Sequence, residues 1–228
     1  MGALARRPRF LQLGGMTNAP NFDMDFQAKL EDLFRWRRDV RRFRTDPVDA
    51  GLIEHLVGMA ALAPSVGYSR PWRFVRVDDP DRRNTVRGIF EHCNAEALSG
   101  YTGDRAQLYA QLKLAGLNDA PVQLAVFNDD GTERGHGLGR KTMPEMLRYS
   151  TVTAVYTFWL AARAHGVGVG WVSILDPEAI CRTIDVPPSW SLVAYLCVGF
   201  PIEEHADPEL ERAGWEQREN AAAVLLSR

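Results

Sequence analysis

The stretch Gly166-Val167-Gly168-Val169-Gly170-Trp171-Val172-Ser173-Ile174 decides the fold of this chain. Its alternating glycines imitate a dinucleotide-binding fingerprint but stand in the wrong place. A Rossmann glycine loop follows a strand and opens a helix. Here the glycines follow an apolar helical segment, Pro144–His165, and run into a strand over Val167–Leu175. Gly166 reads as the C-cap of that helix. Gly168 and Gly170 have no such turn to make. Their missing side chains predict a close backbone approach, to a flat ligand or to a neighbouring helix.

Working outward, Pro144–His165 reads as the longest helix. It is apolar at Val152, Ala154, Val155, Phe158, Trp159, Leu160 and Ala161, and a helix apolar on most faces is a buried one. Further helices are expected over Asp25–Trp36, Val48–Leu62, Pro80–Leu98, Asp104–Leu117 and Pro177–Ile184. Strands are expected at Arg73–Val77, Val122–Phe127 and Leu192–Phe200, and a Gly-rich loop at Asp129–Lys141. Ala63–Trp72, with two prolines and a glycine, reads as a loop. The pattern predicts one α+β domain over residues 26–200, with a flexible arm before it (1–25) and an extension after it (201–228).

The formal net charge of −2 argues against broad nucleic-acid binding, which calls for excess positive charge. Cys93, Cys181 and Cys197 lack metal-ligand spacing and leave an odd thiol, which points to a reducing cytoplasm. The five histidines show no metal-binding spacing, and no Gly-x-Ser-x-Gly elbow is present. No run is apolar enough to span a membrane.

Against that balance, Arg35-Trp36-Arg37-Arg38-Asp39-Val40-Arg41-Arg42-Phe43-Arg44 packs six arginines into ten residues. Arginine binds phosphate in a bidentate fork, so the cluster reads as an anion site. It also reads as a solvated basic helix end, with Asp39 offsetting charge. A carboxylate beside a phosphate site repels the ligand unless it has another task.

The Arg-Arg-x-Val-Arg segment, the Pro-Ser-x-x-x-x-x-Pro-Trp loop at Pro64–Trp72 and the Gly-x-Gly-Trp strand together resemble the nitroreductase-like flavoprotein family. The likeness runs from about Phe26 to Phe200. It implies a mixed, mainly antiparallel sheet flanked by helices around a long buried central helix. It further implies a homodimer with FMN at the subunit interface, the extension packing on the partner. Arg37, Arg38 and Arg41 are implied to hold the FMN phosphate and ribityl chain, with Val40 beside them. Pro64, Ser65, Val66 and Gly67 would reach the flavin from the second subunit. Gly168, Gly170 and Trp171 would run beside its ring, and Arg218 would add a phosphate contact.

Five runs carry a narrower likeness, to the dimethylbenzimidazole synthases. They are Arg37–Arg41, Ala63–Gly67, Leu138–Arg140, Tyr149–Val152 and Gly166–Ile174. Ordinary nitroreductases usually carry a small hydroxyl residue where Asp39 stands. The resemblance implies that reduced FMN is consumed with dioxygen, with no metal. Asp39 and Ser173 map onto the residues that matter for fragmentation. Breaking a ribityl carbon chain requires proton removal, which a carboxylate in reach performs as general base. Neighbouring arginines are expected to keep Asp39 ionised, and partial desolvation to offset that. Ser173 either orients a flavin nitrogen or bonds backbone. Ser99–Leu117, with Tyr101, Tyr109 and Leu114, is either a lid over the flavin or a surface helix pair. A closed lid implies reduced FMN delivered by a separate reductase. Two other readings stay open: an NAD(P)H-dependent nitro- or quinone reductase, and a non-catalytic flavin-binding protein.

Overall fold

The computed structural model describes residues 19–111 and 116–219. Leu114, Leu112 and Lys113, the first eighteen residues and the end of the extension lie outside that description. The elements run α1 (Met24–Trp36), α2 (Ala50–Ala60), β1 (Trp72–Arg76), α3 (Pro80–Ser99), α4 (Gly103–Gln111), α5 (Gly116–Asp119) and β2 (Val122–Asp129). They continue α6 (Met146–Ala164), β3 (Gly168–Val172), α7 (Pro177–Ile184), β4 (Trp190–Gly199) and α8 (Glu209–Arg212). Asp23, Asp49, Asp79 and Asp176 cap four of the helices, each accepting a backbone N–H of the first turn.

The four strands form an antiparallel sheet in the order β1-β2-β4-β3. Among the described residues, the parallel element that the likeness implied is a lone bridge between Asp39 and Val169. Side chains alternate along β2, so each face of the sheet has its own core. Val122, Leu124 and Val126 pack with Ile53 and Leu56 of α2 and with Val155 and Phe158 of α6. Ala125 and Phe127 pack on the other side with Val86 of α3 and Ile180 and Ile184 of α7. One buried polar pair interrupts that second core. The Tyr195 hydroxyl donates to Gln123 Oε1 at 2.7 Å, and Gln123 Nε2 donates to the Leu117 carbonyl at 3.0 Å, so no buried partner is left unmet.

Two expectations about the central helix need correction. At 19 residues α6 is one residue shorter than α3. Nor is it buried all round: Tyr149, Val152 and Tyr156 are exposed on one stripe of the single chain, while Phe158, Val155 and Ala154 are fully buried. Apolarity at Val152 therefore marks an outward face, not the core. Gly166 behaves as expected, with φ +72° and its N–H on the Arg163 carbonyl at 3.0 Å. No helix among the described residues is long and apolar enough to cross a membrane.

β3 is an edge strand, and the arginine-rich segment covers it. Val40 N–H donates to the Val169 carbonyl at 3.0 Å. Phe43, 1% exposed, then bridges to Pro201, and Arg44 N–H reaches the Phe200 carbonyl at 2.8 Å. The segment is thus threaded between the edge of the sheet and the chain leaving β4. That threading sets the start of the extension directly against Arg42.

Candidate active site

The glycines of β3 explain how the segment sits so close. A Cβ on Gly170 would stand 2.1 Å from the Val40 carbonyl oxygen, and one on Gly168 would stand 2.8 Å from Val40 Cγ2. The space left by the absent side chains is filled by Val40, where the sequence suggested a ligand or a helix. Only glycine permits this contact, and the contact is what delivers Asp39 and the arginines to one place.

Asp39 is fixed by that approach. Its Oδ1 accepts the Trp171 backbone N–H at 2.8 Å, and its Oδ2 lies 3.7 Å from Arg41 Nε. The carboxyl pKa is raised. Burial is the largest cause; the Trp171 N–H, Arg41 and Arg37 oppose it, and Glu209 adds to it. The sequence led us to expect arginines that keep Asp39 ionised and a partial desolvation that offsets them. Desolvation outweighs them, although 37% of the side chain still meets solvent.

Three arginines assemble as a cationic cluster. Arg37 ends α1 and lies over the Trp159 ring at 5.0 Å, a cation–π contact. Arg38 donates through Nε and Nη2 to the Ala206 carbonyl at 2.9 and 2.6 Å. Its pKa is lowered by burial first and then by the charges of Arg37 and Arg218, so Arg218 stands close by. Asp207 and Glu211 partly balance this group, and Arg218 pairs with Glu211 at 3.1 Å. Two buried donors remain without a partner, Arg37 Nε and Arg41 Nε. Unpaired buried guanidinium donors in a cationic cluster suit a phosphate.

Sequence reading missed the acidic side of the site. Arg42 is bonded to Glu203 and lies 3.4 Å from Glu209; Arg163 of α6 is bonded to Glu204. The signal was present as charge patterning. Carboxylates recur at Glu203, Glu204, Asp207, Glu209 and Glu211, the natural complement of an arginine cluster. Trp159 was also missed as a site residue; its Nε1 donates to the Arg38 carbonyl at 3.3 Å.

The Pro64–Gly67 loop lines no part of this cleft in the single chain. It docks against α6 and the Gly-rich loop instead. Val66 N–H donates to Ser150 Oγ at 3.0 Å, Thr153 Oγ1 donates to the Pro64 carbonyl at 3.2 Å, and Ser65 Oγ accepts the Arg70 N–H at 3.1 Å. A Cβ on Gly139 would meet Val66 Cγ2 at 2.7 Å, so two of the five runs exist to seat this loop. Tyr68 and Arg70 hold left-handed φ values of 56° and 50°, a strained backbone of the kind kept at functional sites. Ser173 lies exposed just past β3, and none of the hydrogen bonds of the described residues engages its side chain.

The chain matches the model of the nitroreductase family over residues 34–200. It is 56% identical over 203 residues to a 5,6-dimethylbenzimidazole synthase from Rhodospirillum rubrum, covering 89% of this chain and 96% of that one. A 5,6-dimethylbenzimidazole synthase from Rhodobacter capsulatus is 48% identical over 197 residues, covering 86% and 95%. Among solved structures, a BluB-like flavoprotein from Clostridium difficile superposes with a TM-score of 0.66 at 19% identity, over 87% of this chain and 98% of that one. The chain belongs to the nitroreductase family and, within it, to the same branch as these two synthases.

Proposed function

We propose that this chain is a 5,6-dimethylbenzimidazole synthase. It fragments reduced FMN with dioxygen, releasing 5,6-dimethylbenzimidazole, the lower ligand of cobalamin, and erythrose 4-phosphate. The observation that carries the reading is Asp39: a partly desolvated carboxylate, anchored by one oxygen and set beside a cationic cluster. A plain flavin reductase recycles its cofactor and has no use for a base there.

Arg37, Arg38 and Arg218 would hold the phosphate, with Arg41 along the ribityl chain; the buried Arg37 Nε, which makes no hydrogen bond, fits the phosphate role. Reduced FMN supplies both the electrons for dioxygen and the carbon skeleton of the product. Asp39 takes a proton from the ribityl chain through Oδ2, since Oδ1 is occupied by Trp171. Its raised pKa makes it a stronger base than a surface aspartate. Ser173, exposed at the end of β3, is free to hydrogen-bond the flavin.

A second copy of the chain completes the site. Tyr149, Val152 and Tyr156 recur at helical spacing on the outer face of α6, and Tyr68 and Leu138 are exposed beside the Pro64–Gly67 loop. In a homodimer this face is covered and the loop reaches the partner's flavin. Reduced FMN is delivered by a separate reductase, in a reducing cytoplasm that suits three free thiols.

The test is direct. Purified protein given chemically reduced FMN in air should yield 5,6-dimethylbenzimidazole without NAD(P)H. Recovery of intact FMN alongside steady NAD(P)H oxidation identifies a reductase instead.

A further inference from the structure

Arg41 stands between two carboxylates. Its Nε lies 3.7 Å from Asp39 Oδ2 and 3.8 Å from Glu209 Oε2. Neither contact is a hydrogen bond. The same Nε is buried with no partner, and only 12% of the side chain meets solvent. Water therefore reaches the guanidinium little, although Asp39 and Glu209 keep 37% and 22% of their side chains in solvent. The other oxygen of Glu209 lies 3.4 Å from Arg42 Nη1, and Arg42 is bonded in turn to Glu203. Glu209 opens α8 in the extension, far from Asp39 along the chain, and only the threading of the arginine segment brings them together.

We propose that Glu209 is a positioning residue for Asp39: by sharing Arg41, it keeps that guanidinium from closing on Asp39 as a full ion pair. This rests on the reading of Asp39 as the reaction's base. A carboxylate locked to arginine is a weak base, whereas one whose counter-ion is divided retains proton affinity. The charge of Glu209 acts in the same sense, pushing Asp39 up while Arg41 and Arg37 pull it down.

Other charges face the same cleft. Arg37, Arg38, Arg41 and Arg42 come from the segment of Asp39 itself, and Arg163 from α6. The extension contributes Glu203, Glu204, His205, Asp207 and Arg212. Cys197 of β4 lies behind Asp39 in the core and not in the cleft; burial first, and the charge of Asp39 second, hold its thiol up and neutral. Glu204 is spoken for by Arg163, and Arg42 holds Glu203. Glu209 alone among these carboxylates is paired with Arg41.

The experiment is a carbon-13 NMR titration of protein labelled at aspartate side-chain carboxyls. The Asp39 signal is assigned by its loss in Asp39→Asn. In Glu209→Gln the Asp39 midpoint should fall, by up to roughly one pH unit, the lower end of what a neighbouring arginine does to an aspartate. Glu209→Asp should restore it at least in part. Glu204→Gln, which removes a carboxylate of the same cleft that does not touch Arg41, should leave it in place. The acid limb of product formation should move with the NMR midpoint. An unmoved midpoint in Glu209→Gln, or an equal shift in Glu204→Gln, overturns the proposal. If the midpoint moves as expected while the wild type makes no product, the coupling stands and the synthase reading falls.

Discussion

The backbone N–H of Trp171 donates to Asp39 Oδ1 at 2.8 Å, so a side-chain oxygen stands where the carbonyl of a further strand would be. The bond uses a donor that an edge strand would otherwise show to solvent. It also divides the labour of the carboxylate. Oδ1 is structural, and Oδ2 is left facing Arg41 and the cleft.

Asp39→Asn keeps an acceptor for Trp171 but removes the base. Formation of 5,6-dimethylbenzimidazole should drop by about 10²–10⁴-fold, the usual share of a general base, with FMN affinity retained. Asp39→Ala should also strand the Trp171 donor and cost about 1–3 kcal/mol of stability. Chromatography of product and denaturant midpoints separate the two effects. Wild-type rates in Asp39→Asn would sink the assignment.

The pH dependence has a definite sign. The folded-state pKa of Asp39 is raised, with burial as the leading cause. Such a carboxylate contributes stability below its unfolded pKa, about 4, and loses it as pH rises through the folded value. Relative to Asp39→Asn, the wild type should therefore match at low pH, fall behind across that window and stay level above it. Thermal melts of both proteins at several pH values measure this. Product formation should show its acid limb above pH 4, where Asp39 takes up its proton.

Gly170→Ala sets a methyl against the Val40 carbonyl at 2.1 Å, a contact with backbone that cannot rotate away. The arginine segment must lift from β3, costing about 1–3 kcal/mol and taking Asp39 with it. Gly168→Ala meets a valine methyl at 2.8 Å and should be milder. Loss of product in Gly170→Ala with most of the fold intact, judged by circular dichroism, is the expected result. Equal behaviour of the two variants would count against the account of these glycines.

Arg37→Ala should weaken FMN roughly ten- to hundredfold, the worth of a charged hydrogen bond of about 1.5–3 kcal/mol. Riboflavin, which lacks the phosphate, should bind both proteins alike. Fluorescence titration with the two flavins decides it; an equal loss for riboflavin places Arg37 away from the phosphate.

Trp215 ties the extension to α4. Arg105 donates to its carbonyl at 2.6 Å and lies over its ring at 5.0 Å, while the rings of Tyr101 and Tyr109 approach to 5.6 and 6.2 Å. Trp215→Ala should speed proteolytic cleavage of the extension several-fold with little change in the global denaturation midpoint. Unchanged cleavage would show that the aromatic contact does not hold the segment.

Local pattern was enough for much of this protein. Apolar periodicity, proline and glycine breaks and a misplaced glycine repeat determined most element types and ruled out a doubly wound sheet, because those signals act over a few residues. The likeness in Arg37–Arg41 and Gly166–Ile174 pointed to the family and to Asp39. What the sequence could not determine was why these two runs belong together. Their pairing is a contact between Val40 and the bare backbone of Gly168 and Gly170, residues that lie far apart along the chain. Nor could it assign Val152 to an outward face, since an apolar residue on an exposed stripe and one in the core obey the same spacing. Only tertiary structure placed Glu209 beside Arg41 and let desolvation outweigh the arginines at Asp39, because charge, burial and distance act through space and not along the chain.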